Sequence, residues 1–402
     1  MKKIIFIFSS VTSFLIVMLV FVVLLISCTR TIKIKNEKEG KLIATHCLTP
    51  GEVKKFEIDD ETAPQSPYIQ MFDDISGIRL FTFFNPYNHS IYYYDYDTGI
   101  KINTTKYYKE GQNGILNISG YYIQSKDSIY LYSARTIEIA LTDSAGKVNK
   151  RISFRGDGRD NWYNTFPQYA FSTVIPIIKI QDKLILTGFQ TVALPAKALD
   201  KHPFAACIDL KTENINYTYT YPEMLYGYNA NWEGNFATFV YPELSPTGEM
   251  IHSFPMSHNI YITPWNSNNY KTIYAGSNYA STIHSIDMDP KRTPGEVILD
   301  RMVREDMYTA IRYDSYRKLY YRIILHGIPD ANHNTQSSKK TISVIIMDER
   351  FNYMGETVIG SGEQWNWKNM FVTREGLNIE YISHDDLDEN FMIFKIFTVE
   401  KI

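Results

Sequence analysis

Residues able to do chemistry are spread along this chain without any of the spacings that mark a metal centre or a nucleophile. Its nine histidines never fall in H-E-x-x-H and no C-x-x-C occurs, so no zinc site is expected. Gly156 to Asn161 holds Asp157-Gly-Arg-Asp160, but Arg159 stands where a calcium loop needs Asp or Asn. His384 to Glu389 gathers four carboxylates that could hold a hard cation, a run more often found as a solvated hairpin tip. His252 and His258, on neighbouring strands, read as satisfied structural residues. There is no G-x-S-x-G elbow, and Cys47 and Cys207 lie in apolar strand contexts that favour inert, buried thiols. An oxidising compartment would still permit a disulfide between them. Neither a metal nor a cofactor is expected.

Aromatic residues offer more. Trp162, Tyr163, Tyr226, Tyr228, Trp232 and Trp365 fall in connecting segments beside Arg159, Asn231, Glu233 and Gln364. A ring supplies flat apolar area while neighbouring amides and charges fix orientation, a combination suited to a sugar ring or a peptide side chain. Trp162 and Trp232 lead this set, with Tyr163, Arg159, Tyr228, Asn231 and Trp365 in support. The competing structural role is that these rings pin the loops down. A rival chemistry is hydrolysis or lyase action by Asp157, Asp160 and Glu233. A third possibility is a structural subunit of an outer-membrane complex.

Strands must position these loops. Ser128-Ile-Tyr-Leu-Tyr132 and Thr136-Ile-Glu-Ile-Ala-Leu141 alternate with period two, and the turn Asp143-Ser-Ala-Gly146 leads into Lys147 to Ile152. Asp bonds its own backbone in such a turn and Gly accepts positive φ. Asp95-Tyr-Asp-Thr-Gly99, Lys211 to Asn214 and Asp348 to Asn352 repeat the device. Five strand quartets and a final trio (367–372, 377–382, 391–399) predict an all-β fold, a β-propeller of six four-stranded blades. The trio needs a fourth strand to close the ring, and Val53 to Ile58 is the spare one. The alternative is seven blades, with 283–303 supplying the extra one; a helical turn or two is predicted only over 297–307. Joins between first and second strands are short, as are the Asp turns, so the long connections all fall on one face. That face is the expected working surface.

Met1-Lys2-Lys3 and the apolar run to Ile26 end in Leu25-Ile26-Ser27-Cys28, which resembles the bacterial lipobox. Residues 1–27 then form a lipoprotein signal peptide, Cys28 carries the lipid, 28–41 is a polar tether and 42–402 a single domain. The alternative is an uncleaved membrane-spanning helix. Thr29 follows the cysteine, without an aspartate, which favours an outer-membrane lipoprotein facing either the periplasm or the surface. With 41 basic and 44 acidic residues the chain offers no broad basic field for nucleic acid.

Phe56-Glu-Ile-Asp59, Glu110-Gly-Gln-Asn-Gly114, Asp127-Ser-Ile-Tyr130, Asp143-Ser-Ala-Gly146 and Arg312-Tyr-Asp-Ser-Tyr-Arg-Lys-Leu-Tyr-Tyr-Arg322 together resemble the bacterial lipoproteins grouped as domain of unknown function 4221. The resemblance implies a propeller-like fold and an envelope location, and brings no catalytic residues with it. Arg312, Arg317 and Arg322 read as a structural ion-pair set around Asp314. The function expected is a lipid-anchored envelope propeller that binds a glycan, peptide or envelope protein without catalysis.

Overall fold

A computed structural model describes residues 31–63, 65–154, 167–190, 199–227, 230–232, 237–290, 292–382 and 389–402. In chain order, β1 (Lys33–Ile34) and β2 (His46–Glu57) precede the blades. Blade 1 is β3 (Ile69–Asp73), β4 (Arg79–Asn85), β5 (Ser90–Asp95) and β6 (Lys101–Lys106). Blade 2 is β7 (Ile118–Ser125), β8 (Ser128–Ser133), β9 (Glu138–Thr142) and β10 (Val148–Ser153). Blade 3 is β11 (Ile178–Ile180), β12 (Lys183–Thr187), β13 (Pro203–Asp209) and β14 (Ile215–Thr220). After a short helix, α1 (Glu223–Tyr226), blade 4 is β15 (Tyr241–Leu244), β16 (Glu249–Ser253), β17 (Asn259–Pro264) and β18 (Lys271–Tyr274). Then come β19 (Ile283–His284) and the helix α2 (Gly295–Arg304). Blade 5 is β20 (Met307–Asp314), β21 (Leu319–Leu325), β22 (Thr341–Asp348) and β23 (Tyr353–Ser361). The last three strands are β24 (Trp365–Val372), β25 (Leu377–Tyr381) and β26 (Phe391–Lys401).

Every blade is an antiparallel four-stranded sheet, and the sixth has the order β2-β26-β25-β24. The ring is therefore closed by the N-terminal strand, as the strand count required. Val53 pairs with Lys395 and Glu57 with Phe391. Phe56 stacks on Phe81 of blade 1 with ring centroids 3.9 Å apart and is fully buried, so closure also seals the seam between the first and last blades. Burying one such ring contributes roughly 1.5–3 kcal/mol. Middle strands such as β4 and β21 are buried along their whole length because neighbouring blades cover both faces, whereas the outer β6 is largely exposed.

The Asp turns work as their residue types demand. The Asp95 carboxylate accepts the amides of Asp97 (2.8 Å) and Thr98 (3.1 Å), and Gly99 takes φ +73°. Asp143 accepts those of Ala145 and Lys147, both at 3.0 Å, with Gly146 at φ +79°. Where Glu213 and Phe351 occupy the same place they adopt φ +64° and +63°, and Asp209 and Asp348 make the corresponding amide bonds.

Four expectations need correction. Residues 283–303 form no seventh blade: β19 pairs with β1, and α2 follows. Pro294 precedes that helix, Glu296 lies in its first turn and Arg301 and Arg304 in its last, as the helix dipole favours. The described part of the segment read as a polar tether, 28–41, is docked from Ile32 onward; Asn36 is buried and donates to the carbonyls of Ser277 (2.9 Å) and Ala280 (2.6 Å). The first strand of blade 4 starts at Tyr241; the expected start, Phe236, lies outside the described residues, and the carbonyls of Ala237 and Thr238 accept the hydroxyls of Tyr226 and Tyr221 instead of joining a ladder. Pro242 is tolerated in β15 because an innermost strand has one unpaired edge.

The fourth correction concerns Val174 to Lys179, expected as an inner strand of blade 3. Only Ile178–Ile180 is strand. The residues before it cross the ring axis. Phe171 packs where a Cβ on Gly120 of β7 would come within 2.5 Å of its ring. Thr173 Oγ1 accepts the amide of Ile69 on β3 (3.0 Å) and donates to Asn369 of β24 (2.5 Å), while its carbonyl accepts from Arg312 of β20. Val174 and Ile175 join the buried cluster of Tyr241, Ala310 and Met370. One connection thus fills the long-loop end of the channel and ties inner strands together across it.

Candidate functional site

The alternating strand directions put the crossings between blades and the second-to-third joins on one face. On that face, at blade 1, the crossing from β2 to β3 meets the turn between β4 and β5 and leaves an open depression of about 510 Å³. Asp60, Glu61, Thr62, Tyr87, Asn88 and Lys106 line it. Its framework is fixed by hydrogen bonds. Asp59 accepts from Thr62 Oγ1 (2.5 Å), Tyr92 Oη (2.9 Å) and Lys101 Nζ (3.0 Å). Partial burial works against the Asp59 charge, but those three donors outweigh it and hold its carboxyl below the usual value. Asn85 Nδ2 donates to the carbonyl of Glu61 and to Thr62 Oγ1, each at 2.9 Å. Asn88 Nδ2 donates to Glu61 Oε2 (3.1 Å) and to Tyr92 Oη (2.6 Å).

The turn is set by local chemistry. Asn85 Oδ1 accepts the Tyr87 amide (3.0 Å), and His89 adopts φ +61° with its Nε2 donating to the Ile115 carbonyl (2.8 Å). That geometry leaves the Tyr87 ring 73% exposed beside a shelf of carboxylates, a hydroxyl and an amide. The arrangement can accept and donate hydrogen bonds to a polyhydroxylated ligand while the ring covers its apolar face. Among the described residues no three His, Cys, Asp or Glu side chains converge to hold a metal ion.

A family model matches residues 46–358, from the closing strand through most of blade 5, and describes a domain of unknown function, DUF4221. The chain belongs to the DUF4221 family. A crystal structure of a DUF4221 member from Bacteroides vulgatus ATCC 8482 aligns at TM-score 0.76 with 18% identity, covering 89% of this chain and 99% of that one. A Bacteroides fragilis NCTC 9343 structure aligns at TM-score 0.54 and 9% identity, covering 88% and 96%. At these identities the likeness concerns the fold. No curated protein matches the chain.

In this DUF4221 chain the arginine motif is structural. Arg317 pairs with Asp314 at 3.0 Å, but the other two look elsewhere. Arg312 reaches Glu243 Oε2 (3.2 Å) and the axial Thr173 carbonyl. Burial pushes the Glu243 carboxyl up, and the Arg312 charge opposes that shift. Arg322 is fully buried without a carboxylate: it donates to the carbonyls of Ser257 (2.9 Å), Ala275 (3.0 Å), Asn259 (3.2 Å) and His258 (3.3 Å) and to Ser253 Oγ (3.0 Å), over the Tyr308 ring. It therefore fastens blade 5 to blade 4.

Of the loop residues expected to bind, Trp162, Tyr163, Arg159 and Tyr228 lie outside the described residues, as do Cys28, Asp157, Asp160, Glu233 and His384 to Asp388. Asn231, Trp232 and Trp365 are placed, and they are buried. Trp232 Nε1 donates to the Leu225 carbonyl (2.6 Å), and Asn231 donates to Met288 O (3.0 Å) and Thr293 Oγ1 (2.8 Å). Trp365 Nε1 donates to Ile359 O (2.7 Å), its ring against Tyr381 and Phe397. These three hold loops and blade edges, the competing role that the sequence also allowed. Tyr226 is buried as well.

His258 is satisfied, its Nε2 donating to the Ile34 carbonyl (3.2 Å) and its Nδ1 accepting from Tyr308 Oη (2.8 Å). His252 is not. It lies among Phe204, Tyr219, Phe254 and Tyr270 with neither ring nitrogen partnered among the described residues. Cys47 and Cys207 are free thiols, and burial pushes the Cys207 thiol up. Tyr87 and Asn88, in the turn Pro86-Tyr-Asn-His89, carried a legible signal: a large ring at the tip of a tight polar turn.

Proposed function

We propose that this protein is a lipid-anchored envelope propeller that binds a glycan in the depression at the long-loop edge of blade 1, without catalysis. The observation that carries the reading is the exposed Tyr87 beside a shelf in which Glu61, Thr62 and Asn88 are held in place by hydrogen bonds. A preorganised shelf loses little conformational freedom when a ligand arrives, which favours retention by few contacts. Asp60 and Glu61 accept from sugar hydroxyls, Lys106 donates, and Tyr87 packs on the C–H face of a ring. The anchor rests on Met1-Lys2-Lys3, the apolar run and Leu25-Ile26-Ser27-Cys28.

The test is a glycan array followed by calorimetry on Tyr87→Ala. Losing the ring should weaken binding about tenfold or more, equivalent to about 1.4 kcal/mol, with the melting temperature nearly unchanged because the side chain is exposed. Equal affinity in the variant, or no glycan retained by the wild-type chain, would refute the assignment.

A further inference from the structure

The short-loop end of the channel holds a second cavity. Beyond the axial segment, the ends of β3, β20 and β24 with their following turns enclose about 210 Å³. Met71, Phe72 and Val372 give this cavity an apolar wall, and Tyr313 and Tyr316 an aromatic side. Asp73 lies at its mouth, exposed and without an ion pair among the described residues. Arg79 also lines the cavity, but its guanidinium, like those of Arg374 and Arg317 close by, is already committed to carboxylates. Arg79 is bonded to Asp97 and to both oxygens of Glu375 at 2.8 Å, Arg374 reaches Asp97 (3.4 Å) and Glu375 (3.0 Å), and Arg317 holds Asp314. An anion would find no unpaired guanidinium there and a carboxylate opposing it.

We propose that this mouth takes an alkylammonium group, independently of the glycan reading. The methylene stem lies against Phe72, Met71 and Val372, the Tyr316 ring supplies a cation–π partner, and Asp73 the counter-charge. Tyr316 is 56% exposed and Ile75, on the adjoining turn, 97% exposed. They offer apolar area to a chain carrying the amine. The chemistry is shared by a lysine side chain of a partner's extended segment and by a free diamine.

Calorimetric titration of the folded protein at neutral pH with N-acetyl-lysine methylamide, cadaverine and N-acetyl-norleucine methylamide separates the cases. The charged probes should bind and the norleucine probe should not. Asp73→Asn should weaken the charged probes about tenfold or more, Tyr316→Ala less, and Tyr87→Ala not at all. Tighter binding of the lysine probe supports a peptide-borne amine; tighter binding of cadaverine supports the same site serving a free diamine. Absence of binding by both charged probes, or equal binding to wild type and a folded Asp73→Asn, overturns the proposal.

Discussion

A histidine with no partner on either nitrogen is a cost the fold must meet at low pH. Burial drives the His252 imidazole down to about 3, and His258 to about 4, from an ordinary 6.5. Between those values the unfolded chain binds a proton that the folded chain excludes, so stability present above pH 6.5 is lost as pH falls toward 3. The slope is up to about 1.4 kcal/mol per pH unit for each group. Glu380 acts oppositely. Burial pushes its carboxyl up to about 8, though Asn369 and Asn366 donate to it, so its effect is a loss of stability as pH rises from 4.5 to 8. His252→Phe should flatten the acid limb and leave the alkaline limb unchanged, read from urea midpoints between about pH 4.5 and 8. An acid limb of unchanged steepness would show that His252 does not carry it. The sequence placed both histidines as structural residues, but which one lacked a partner depended on aromatic neighbours from two blades.

At the level of elements, the axial segment around Phe171 to Ile177 is the part least legible in advance. Its Val174-Ile-Pro-Ile-Ile run has the apolar content of an inner strand, and only the ring's interior shows that those side chains are buried by crossing the axis. The blades themselves were legible because each Asp turn ends on a residue at positive φ between two alternating runs, and because three closing strands demanded a fourth. Gly120 makes this crossing possible: its missing Cβ is the space Phe171 fills. Gly120→Ala should therefore destabilise by about 1–3 kcal/mol through overpacking. Phe171→Ala alone should also destabilise, by about 3–5 kcal/mol. The double variant should cost less than the two summed, because removing the ring relieves the clash. Strict additivity in denaturant unfolding would contradict the contact. The segment also closes one end of the channel and leaves the cavity beside Asp73 facing the other.

The whole ring then presents two different surfaces. Its long-loop face carries the Tyr87 shelf at the seam between first and last blades, and its short-loop face the amine-sized mouth on the axis. Blade order and the long-loop face could be read from strand periods and join lengths. The shelf could not, because it exists only where residues 59–63 meet the turn at 86–89, a meeting made by the closing strand. Tryptophans beside amides and charges match the make-up of a sugar platform, but Trp232 and Trp365 are buried, each with its indole N–H donating to a backbone carbonyl. Hydrogen–deuterium exchange with and without the best glycan from the array tests the central claim most directly. Ligand-dependent protection should be confined to residues 59–63 and 85–89 and should vanish in Tyr87→Ala. Protection centred on another blade, or unaltered in that variant, would contradict it.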